Sequence, residues 1–264
     1  MKLTVLTENT TSAPEMLAEH GLSLLLEVRG HSILFDMGQS DAFAVNARRL
    51  GLDLSAVDTA VLSHGHYDHG GGIRTFLAQN ERAPVYVSRA AFGAHYNGMA
   101  KYIGLDPSLQ YEPRLILADA VQTLGDGLTL YTVNDAPYRH PIRPFGLTVC
   151  RGGRFVPEDF CHEQYLLIEE NGRRILVSGC SHKGIGNIMA WFRPDVLIGG
   201  FHFMKLDPAE EADRAMLDAA AEELLSYPTM YYTGHCTGEA QFAYLKTKMG
   251  ERLEYLHTGR IVEI

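Results

Sequence analysis

The segment His64-Gly-His66-Tyr-Asp68-His69 places three histidines and one aspartate within six positions of the chain. These are three of only twelve histidines in 264 residues. Neutral imidazole nitrogen and carboxylate oxygen are donors that zinc accepts, at about 2.0–2.2 Å. Neighbouring glycines allow a tight turn and keep side chains away from it. The segment predicts a metal site, with His64 and His66 facing one side of the turn and Asp68 and His69 the other.

Histidines also follow three further apolar segments. His182 comes after ILVSGCS, His202 after VLIGGF and His235 after MYYTG. In α/β folds, ligands bind at the carboxyl ends of the strands, where loops meet at one edge of the sheet. We therefore expect these histidines to converge on the first segment, although they are far apart in the chain.

Short apolar segments and amphipathic segments alternate along the chain, which indicates an α/β fold in one continuous domain, residues 1–264. The predicted strands are 3–6, 22–28, 32–36, 59–63, 84–87, 128–133, 165–169, 174–179, 195–200 and 230–234. The predicted helices are 41–51, 72–80, 185–192, 208–226 and 238–249. Asp207 is expected to cap the fourth helix, with Pro208 in its first turn.

The stretch from about residue 90 to 160 departs from this alternation. It is rich in Tyr, Pro, Gly and Arg and has few long apolar segments. We interpret it as a loop-rich insertion over one face of the fold, where substrate-binding segments are usually found.

Composition narrows the classes of function. A net charge of −9 argues against general binding to nucleic acid or to an anionic membrane surface. No apolar segment approaches the roughly 20 residues of a membrane span, and the N-terminal residues lack the pattern of a signal peptide. Four cysteines without a CxxC pair are typical of a reduced, cytoplasmic protein.

The sequence HGHYDHGGG resembles the metal-binding signature of the metallo-β-lactamase superfamily, and ILFDMGQS is similar to its LFDxG strand end. SGCSHKGIGNI, GGFH and TGHCTG resemble a branch of metal-dependent hydrolases that includes the dihydropterin-ribofuranosylaminobenzene phosphate synthases. The resemblance implies a four-layer αββα sandwich with a dinuclear site at one edge of its two sheets. It also implies that Asp36 supports the loop 64–69 by contacting the metal ligands without binding the metal itself.

The same resemblance implies a set of metal ligands. His64 and His66 would hold the first of two divalent metal ions, and Asp68, His69 and His235 the second. Zinc is the first expectation, with manganese and iron as alternatives.

Two positions depart from the superfamily pattern. Cys180 stands where a bridging aspartate is usual, and a thiolate is a good zinc ligand. The histidine of the third motif is either His182 or His162, which lies 18 positions before Cys180. We prefer His182.

Two adjacent cations would lower the pKa of a bridging water and produce hydroxide at neutral pH. Asp68 is expected to orient this metal-bound hydroxide and accept its proton, and His202 or His182 to donate to the leaving group. His202 is expected to face substrate rather than metal, because a catalytic metal keeps an open coordination position. The inferred reaction is hydrolysis of an ester, lactone, amide or phosphoester.

Residues 138–154 carry four arginines and no acid in a chain that is acidic overall. Arginine's planar fork suits phosphate and carboxylate. Arg139, Arg143 and Arg151 are therefore candidates for binding an anionic, phosphate-bearing small molecule. The alternative is a solvated loop whose arginines pair with acids elsewhere.

Three functions remain open: the hydrolase, a pterin-condensing transferase that releases pyrophosphate, and a redox or metal-sensing protein. The last is disfavoured because oxygen-reducing members typically have Glu at the position of His66 and a flavin module. Superfamily nucleases that process RNA are disfavoured by the acidic composition. The oligomeric state stays open. The remaining histidines are expected to be surface or structural residues: His20, His31, His95 and His257.

Overall fold

The apolar segments form three β-sheets in the computed structural model, which describes residues 1–264. The strands are β1 (Lys2–Thr7), β2 (Ser23–Val28), β3 (His31–Phe35), β4 (Thr59–Val61), β5 (Val85–Ser88), β6 (Ala94–Asn97), β7 (Lys101–Tyr102), β8 (Leu115–Ala118), β9 (Val121–Gly125), β10 (Leu128–Tyr131), β11 (Leu147–Arg151), β12 (Arg154–Pro157), β13 (Tyr165–Glu170), β14 (Arg173–Gly179), β15 (Val196–Gly199), β16 (Met230–Thr233), β17 (Leu253–Tyr255) and β18 (Ile261–Glu263). Every strand predicted from the sequence is present, with ends that differ by at most two residues.

Six α-helices join these strands. They are α1 (Ala42–Arg49), α2 (Tyr67–Gly70), α3 (Ile73–Gln79), α4 (Ile185–Phe192), α5 (Glu211–Leu225) and α6 (Glu239–Met249). Short 3₁₀ turns lie at Leu54–Ala56, Pro107–Tyr111, His235–Thr237 and Gly250–Arg252. None of the helices has the length and apolar character needed to cross a membrane.

Helix α5 begins later than predicted. The Asp207 carboxylate accepts the backbone N–H of Ala209 at 2.9 Å, and the Asp207 N–H donates to Asp213 at 2.8 Å. These bonds close a separate turn around Pro208, so the helix itself begins only after Glu210. The predicted cap at Asp207 is therefore wrong.

The two large sheets share one topology. The first has the order β18-β1-β2-β3-β4-β5-β8 and the second the order β17-β16-β15-β14-β13-β10-β9. In the first sheet the pairs from β18 to β3 are antiparallel and those from β3 to β8 are parallel. In the second, the pairs from β9 to β14 are antiparallel and those from β14 to β17 are parallel. Each sheet thus contributes one parallel half.

The stretch 90–160 contains more β-structure than the loop-rich insertion that we predicted. It supplies β8 to the first sheet and β9 and β10 to the second, and a separate sheet has the order β12-β11-β6-β7. Strands β11 and β12 form a hairpin whose two turn residues, Gly152 and Gly153, have φ of 57° and 78°. Two successive residues with positive φ give the turn whose twist matches a tight hairpin. The RGGR sequence was the signal for it.

The main core lies between the two large sheets and includes Leu24, Phe35, Leu166 and Val177. A second apolar cluster joins the outer face of the first sheet to α1 and α3, and a third joins the second sheet to α4, α5 and α6. Burial of apolar side chains on both faces of each sheet fixes the order of the layers. The predicted four-layer αββα sandwich is confirmed.

Leu166 tests this packing. It lies in β13, is fully buried and pairs with Leu130 and Val177 on the neighbouring strands. Leu166→Ala should lower the free energy of unfolding by about 2–5 kcal/mol, because it leaves a cavity between the sheets. Urea titration followed by circular dichroism measures this loss. The control is Leu117→Ala in edge strand β8, where the side chain is 42% exposed. Equal losses in both variants would contradict the two-sheet core.

Candidate metal centre

Four parallel strands end at the candidate site. The segment 64–69 follows β4, Cys180 and His182 follow β14, His202 follows β15 and His235 follows β16. Asp36 follows β3, the neighbour of β4. The predicted convergence at the carboxyl ends of the strands is present in the structure.

Backbone strain is concentrated at these strand ends. Asp36, Ser181, His202 and His235 all have positive φ, between 48° and 60°. Such conformations cost on the order of 1–3 kcal/mol each for residues with a side chain and persist where the surroundings impose them. They turn the chain sharply at each strand end and direct the following side chains into the site.

The glycines of the first segment serve close packing rather than access to the site. A Cβ on Gly65 would lie 2.1 Å from the carbonyl oxygen of Ala91, and one on Gly72 would lie 2.1 Å from that of Met37. Any side chain at either position would push the loop off the neighbouring backbone. The loop that carries the histidines is therefore fixed by backbone contacts.

One group of donors consists of His64, His66 and His182, all buried. One ring nitrogen of each lies within 4.8 Å of the others. The Nε2 atoms of His64 and His182 are 3.2 Å apart. Three imidazoles at this separation match the donor set of a zinc ion.

A second group surrounds the Nε2 atom of His69. The Cys180 Sγ lies 3.2 Å from it, the His235 Nε2 lies 3.1 Å from it and the Asp68 Oδ2 lies 3.8 Å from it. The Asp68 Oδ2 is also 3.4 Å from the His235 Nε2. His64 belongs to this group as well, together with His69 and Cys180. Thiolate, imidazole and carboxylate are all zinc ligands.

Hydrogen-bond partners outside the donor groups determine which nitrogen of His69 and of His235 carries a proton. The Asp36 carboxylate, which only accepts, is 2.7 Å from the His69 Nδ1. The Asn9 amide oxygen is 2.9 Å from the His235 Nδ1, and it also accepts the N–H of Gly21. Each Nδ1 therefore carries the proton, and each Nε2 presents a lone pair to the group.

His64 is held in the same way. The Ser63 hydroxyl donates to Asp36 at 2.7 Å, so it accepts from the His64 Nδ1 at 2.8 Å. The Asp36 carboxylate also accepts the Ser63 N–H at 2.6 Å. Asp36 thus orients two ring systems from behind, which agrees with the supporting role predicted for it.

The Nε2 lone pairs of His69 and His235 face each other at 3.1 Å. Two lone pairs in this arrangement require a positive charge between them. Burial lowers the pKa of His69, but the Asp36 and Asp68 carboxylates outweigh burial and raise it overall. Burial also raises the pKa of the Cys180 thiol. A divalent metal would accept these lone pairs together and displace the thiol proton, whereas one added proton satisfies only one of them.

We considered His162 as an alternative to His182 for the third-motif ligand, but it lies in a different group of histidines. Its ring is near His66 and His95, and its Nδ1 accepts the backbone N–H of Gly65 at 2.9 Å. His182 is the histidine that lies beside both His64 and His66. The geometry therefore favours His182 as the third-motif ligand.

Two cavities meet at His182 and His202. The metal cavity, of about 200 Å³, is lined by five of the donors, with His20, Lys101 and Lys205 beside them. These donors are His66, Asp68, Cys180, His182 and His235. The side cavity, of about 250 Å³, is lined by Phe145, Phe201, Phe203, Arg143 and Glu223 among others. His202 lies between them, with its ring 4.2 Å from that of His182.

The three arginines do not form one surface. Arg143 lines the side cavity. Arg139 pairs with Glu223 at 3.3 Å, and Arg151 pairs with Asp159 at 2.7 Å beside a separate cavity. For Arg151 the alternative of a solvated arginine paired with an acid describes the structure, because Asp159 follows directly after the hairpin that carries Arg151.

Sequence reasoning missed several residues of the metal cavity. His20 is 3.3 Å from the Asp68 carboxylate, although we expected a surface or structural role for it. It precedes a strand instead of following one, so the strand-end pattern could not identify it. Lys101 lies in the stretch that we took for loops, and Lys205 follows the GGFH motif without a pattern of its own.

A model of the metallo-beta-lactamase superfamily matches residues 17–235. The chain belongs to this superfamily. A relative in Methanocaldococcus jannaschii, 7,8-dihydropterin-6-methyl-4-(beta-D-ribofuranosyl)-aminobenzene-5'-phosphate synthase, is 27% identical over 270 residues, covering 93% of this chain and 90% of that protein. Protein MJ0448 of the same organism is 26% identical over 270 residues, covering 98% and 99%.

Among solved structures of the superfamily, the chain is similar to Tm1679, a metal-dependent hydrolase, with a TM-score of 0.84 and 27% identity. The match covers 100% of this chain and 99% of that one. The family resemblance drawn from the sequence motifs is therefore confirmed, and one relative carries the name of the predicted pterin branch.

Cys180 tests the second donor group. Cys180→Ser should cost one metal equivalent per chain, because a largely protonated hydroxyl replaces a thiolate, whereas Cys180→Asp should recover part of the binding. Metal content by plasma mass spectrometry measures both. The control is Cys150→Ser, a half-buried cysteine in β11. Full metal content in Cys180→Ser would remove Cys180 from the ligand set.

Proposed function

We propose that this protein is a hydrolase that uses two divalent metal ions, zinc first among the candidates, to cleave an ester or related bond in an anionic small molecule. The observation that carries the proposal is the pair of donor groups, which share His64 and border on one open cavity. The similarity to Tm1679, a metal-dependent hydrolase, supports it.

In this proposal the first metal is held by His64, His66 and His182, and the second by Asp68, His69, Cys180 and His235. Two such cations would lower the pKa of water and stabilise negative charge on the attacked or leaving oxygen.

Asp68 is the proposed proton acceptor. Burial raises the pKa of this carboxyl, but His69, His20 and His235 outweigh burial and lower it well below its ordinary value. Asp68 is therefore ionised at neutral pH, and its carboxylate can hold the attacking water and take its proton.

His202 is the proposed contact to the leaving group. Burial, with a contribution from Lys205, lowers the pKa of His202 to about 4. The ring is neutral at pH 7 and can donate a hydrogen bond from its N–H to an oxygen of the substrate. Its lack of a protein hydrogen-bond partner leaves it available for that contact.

Cationic side chains around the two cavities support an anionic substrate. Lys101 and Lys205 line the metal cavity and Arg143 lines the side cavity. Cavities of this size suit a small molecule rather than a polymer. Phosphate is the proposed anion because arginine and lysine both bind it well.

The second candidate is a pterin-condensing transferase, favoured by the name of the relative in M. jannaschii. The acceptor, an aromatic amine, would form a bond to the pterin-bearing carbon and release a proton, while the C–O bond to the diphosphate would break and pyrophosphate would leave. The aromatic lining of the side cavity, from Phe145, Phe201 and Phe203, suits a flat ring.

Product analysis separates the two candidates. The metal-loaded protein is incubated with a pterin diphosphate, with and without an aromatic amine acceptor, and in parallel with phosphoesters and lactones. A hydrolase releases product without any acceptor. A transferase releases pyrophosphate only when the acceptor is present, together with a condensed product, and that result would contradict the hydrolase proposal.

The cations around the cavities give a second prediction. Lys101→Ala and Arg143→Ala should each raise KM for an anionic substrate by about tenfold, the loss of one charge-assisted hydrogen bond. KM for a neutral analogue should change little. Arg151→Ala is the matched control, because its guanidinium is already paired with Asp159. Equal changes for both substrates would leave the cations without a role in anion binding.

A further inference from the structure

Behind the metal centre lies a cluster of three buried imidazoles: His66, His95 and His162. Their side chains are at most 4% exposed, and one ring nitrogen of each lies within 4.8 Å of the others. The Nε2 atom of every ring is buried and has no hydrogen-bond partner. A buried polar atom without a partner costs about 1–3 kcal/mol, so three in one place require an explanation.

Two contacts determine where the protons are. The backbone N–H of Gly65 can only donate, so the His162 Nδ1 that accepts it at 2.9 Å has no proton. Burial lowers the pKa of His162 well below its ordinary value, so the ring is neutral and its single proton is on Nε2. The Glu158 carboxylate can only accept, so the His95 Nδ1 at 2.7 Å carries the proton and the His95 Nε2 is a lone pair.

These protons argue against a third metal ion in the cluster. His162 presents an N–H where a ligand would need a lone pair, and that N–H is 3.8 Å from the second oxygen of Glu158. The hydrogen bond to Glu158 fixes a lone pair on the His95 Nε2, which lacks a donor. The ring of His162 lies over that of His95 at an angle of 38°, with centroids 4.0 Å apart, so its N–H does not point along this lone pair. The ring of His66 meets His95 edge-on, at 76° and 5.7 Å, and its Nε2 is the nitrogen that can supply the donor.

We propose that Glu158 and His95 are positioning residues for the metal ligand His66. The Nε2 atoms of His95 and His66 are not hydrogen-bonded in the structure. In the metal-loaded protein the His95 Nε2 accepts the Nε2–H of His66, and this leaves the lone pair of the His66 Nδ1 for the metal shared with His64 and His182. The inference rests on the metal site of the proposed function. Asp36 positions His69 in a comparable way. Its carboxylate fixes the proton of His69 on Nδ1, so that Nε2 is the metal-binding nitrogen there.

Burial and charge support this assignment. Glu158 is 3% exposed and pairs with no lysine or arginine side chain. Its oxygens contact the His95 Nδ1 at 2.7 Å, the His162 Nε2 at 3.8 Å and the N–H of Phe160 at 3.4 Å. A carboxylate in this position makes His95 a stronger acceptor, and so makes His66 a better metal ligand.

Metal affinity tests the proposal. Glu158→Gln and His95→Phe should each weaken the binding of one metal ion by about 10–100-fold, measured as zinc affinity in competition with a chromogenic chelator. The double variant should be no weaker than His95→Phe alone, because both act through one contact. Asp159→Asn is the control on the same loop, where the carboxylate pairs with Arg151 and Cys161; its zinc affinity should be unchanged.

Nitrogen-15 NMR of the zinc-loaded natural protein tests the same claim without substitutions. His66 should carry its proton on Nε2 and bind metal through Nδ1. Zinc bound to the Nε2 of His66, natural affinity in both Glu158→Gln and His95→Phe, or a third metal equivalent that disappears in His95→Phe would each overturn the proposal. A natural protein that binds no zinc would instead contradict the proposed function.

Discussion

The Nε2 atoms of His69 and His235 face each other at 3.1 Å, and each presents a lone pair because its other nitrogen is bonded to an outer partner. A buried arrangement of this kind is stable only with a positive charge at its centre. The Asp36 carboxylate, through His69 and Ser63, and the Asn9 amide, through His235, maintain it. The rest of the site depends on these outer contacts, because they decide which atoms are available as ligands.

The fold supplies this geometry through the parallel halves of its two large sheets. Strand ends from both sheets meet at one edge of the sandwich, so ligands come from loops separated by more than a hundred residues. The strained backbone at Asp36, His202 and His235 is maintained by the packed strands before it. Rigid strands therefore hold in place the loops that do the chemistry.

The sequence predicted most strands and the clustering of the first-motif donors because those signals are local, whereas the four layers were implied by the resemblance of its motifs to the superfamily. Apolar segments mark the strands, and the spacing of the first motif brings its donors together. The contacts that fix the protons are not local: Asn9 and His235 are 226 positions apart. His20 and His95 carry no pattern that distinguishes them from surface histidines. Within 90–160 only β10 was predicted; the other strands were missed because they are short and separated by Pro and Gly. The start of α5 was missed because Asp207 caps a turn instead.

The central claim is that the two adjacent donor groups hold two divalent metal ions. Crystals of the protein grown with zinc, with diffraction data collected above and below the zinc absorption edge, test this claim directly. The account predicts two anomalous peaks, one at His64, His66 and His182 and the other at Asp68, His69, Cys180 and His235. A single peak, or zinc bound at residues outside these two groups, would contradict it.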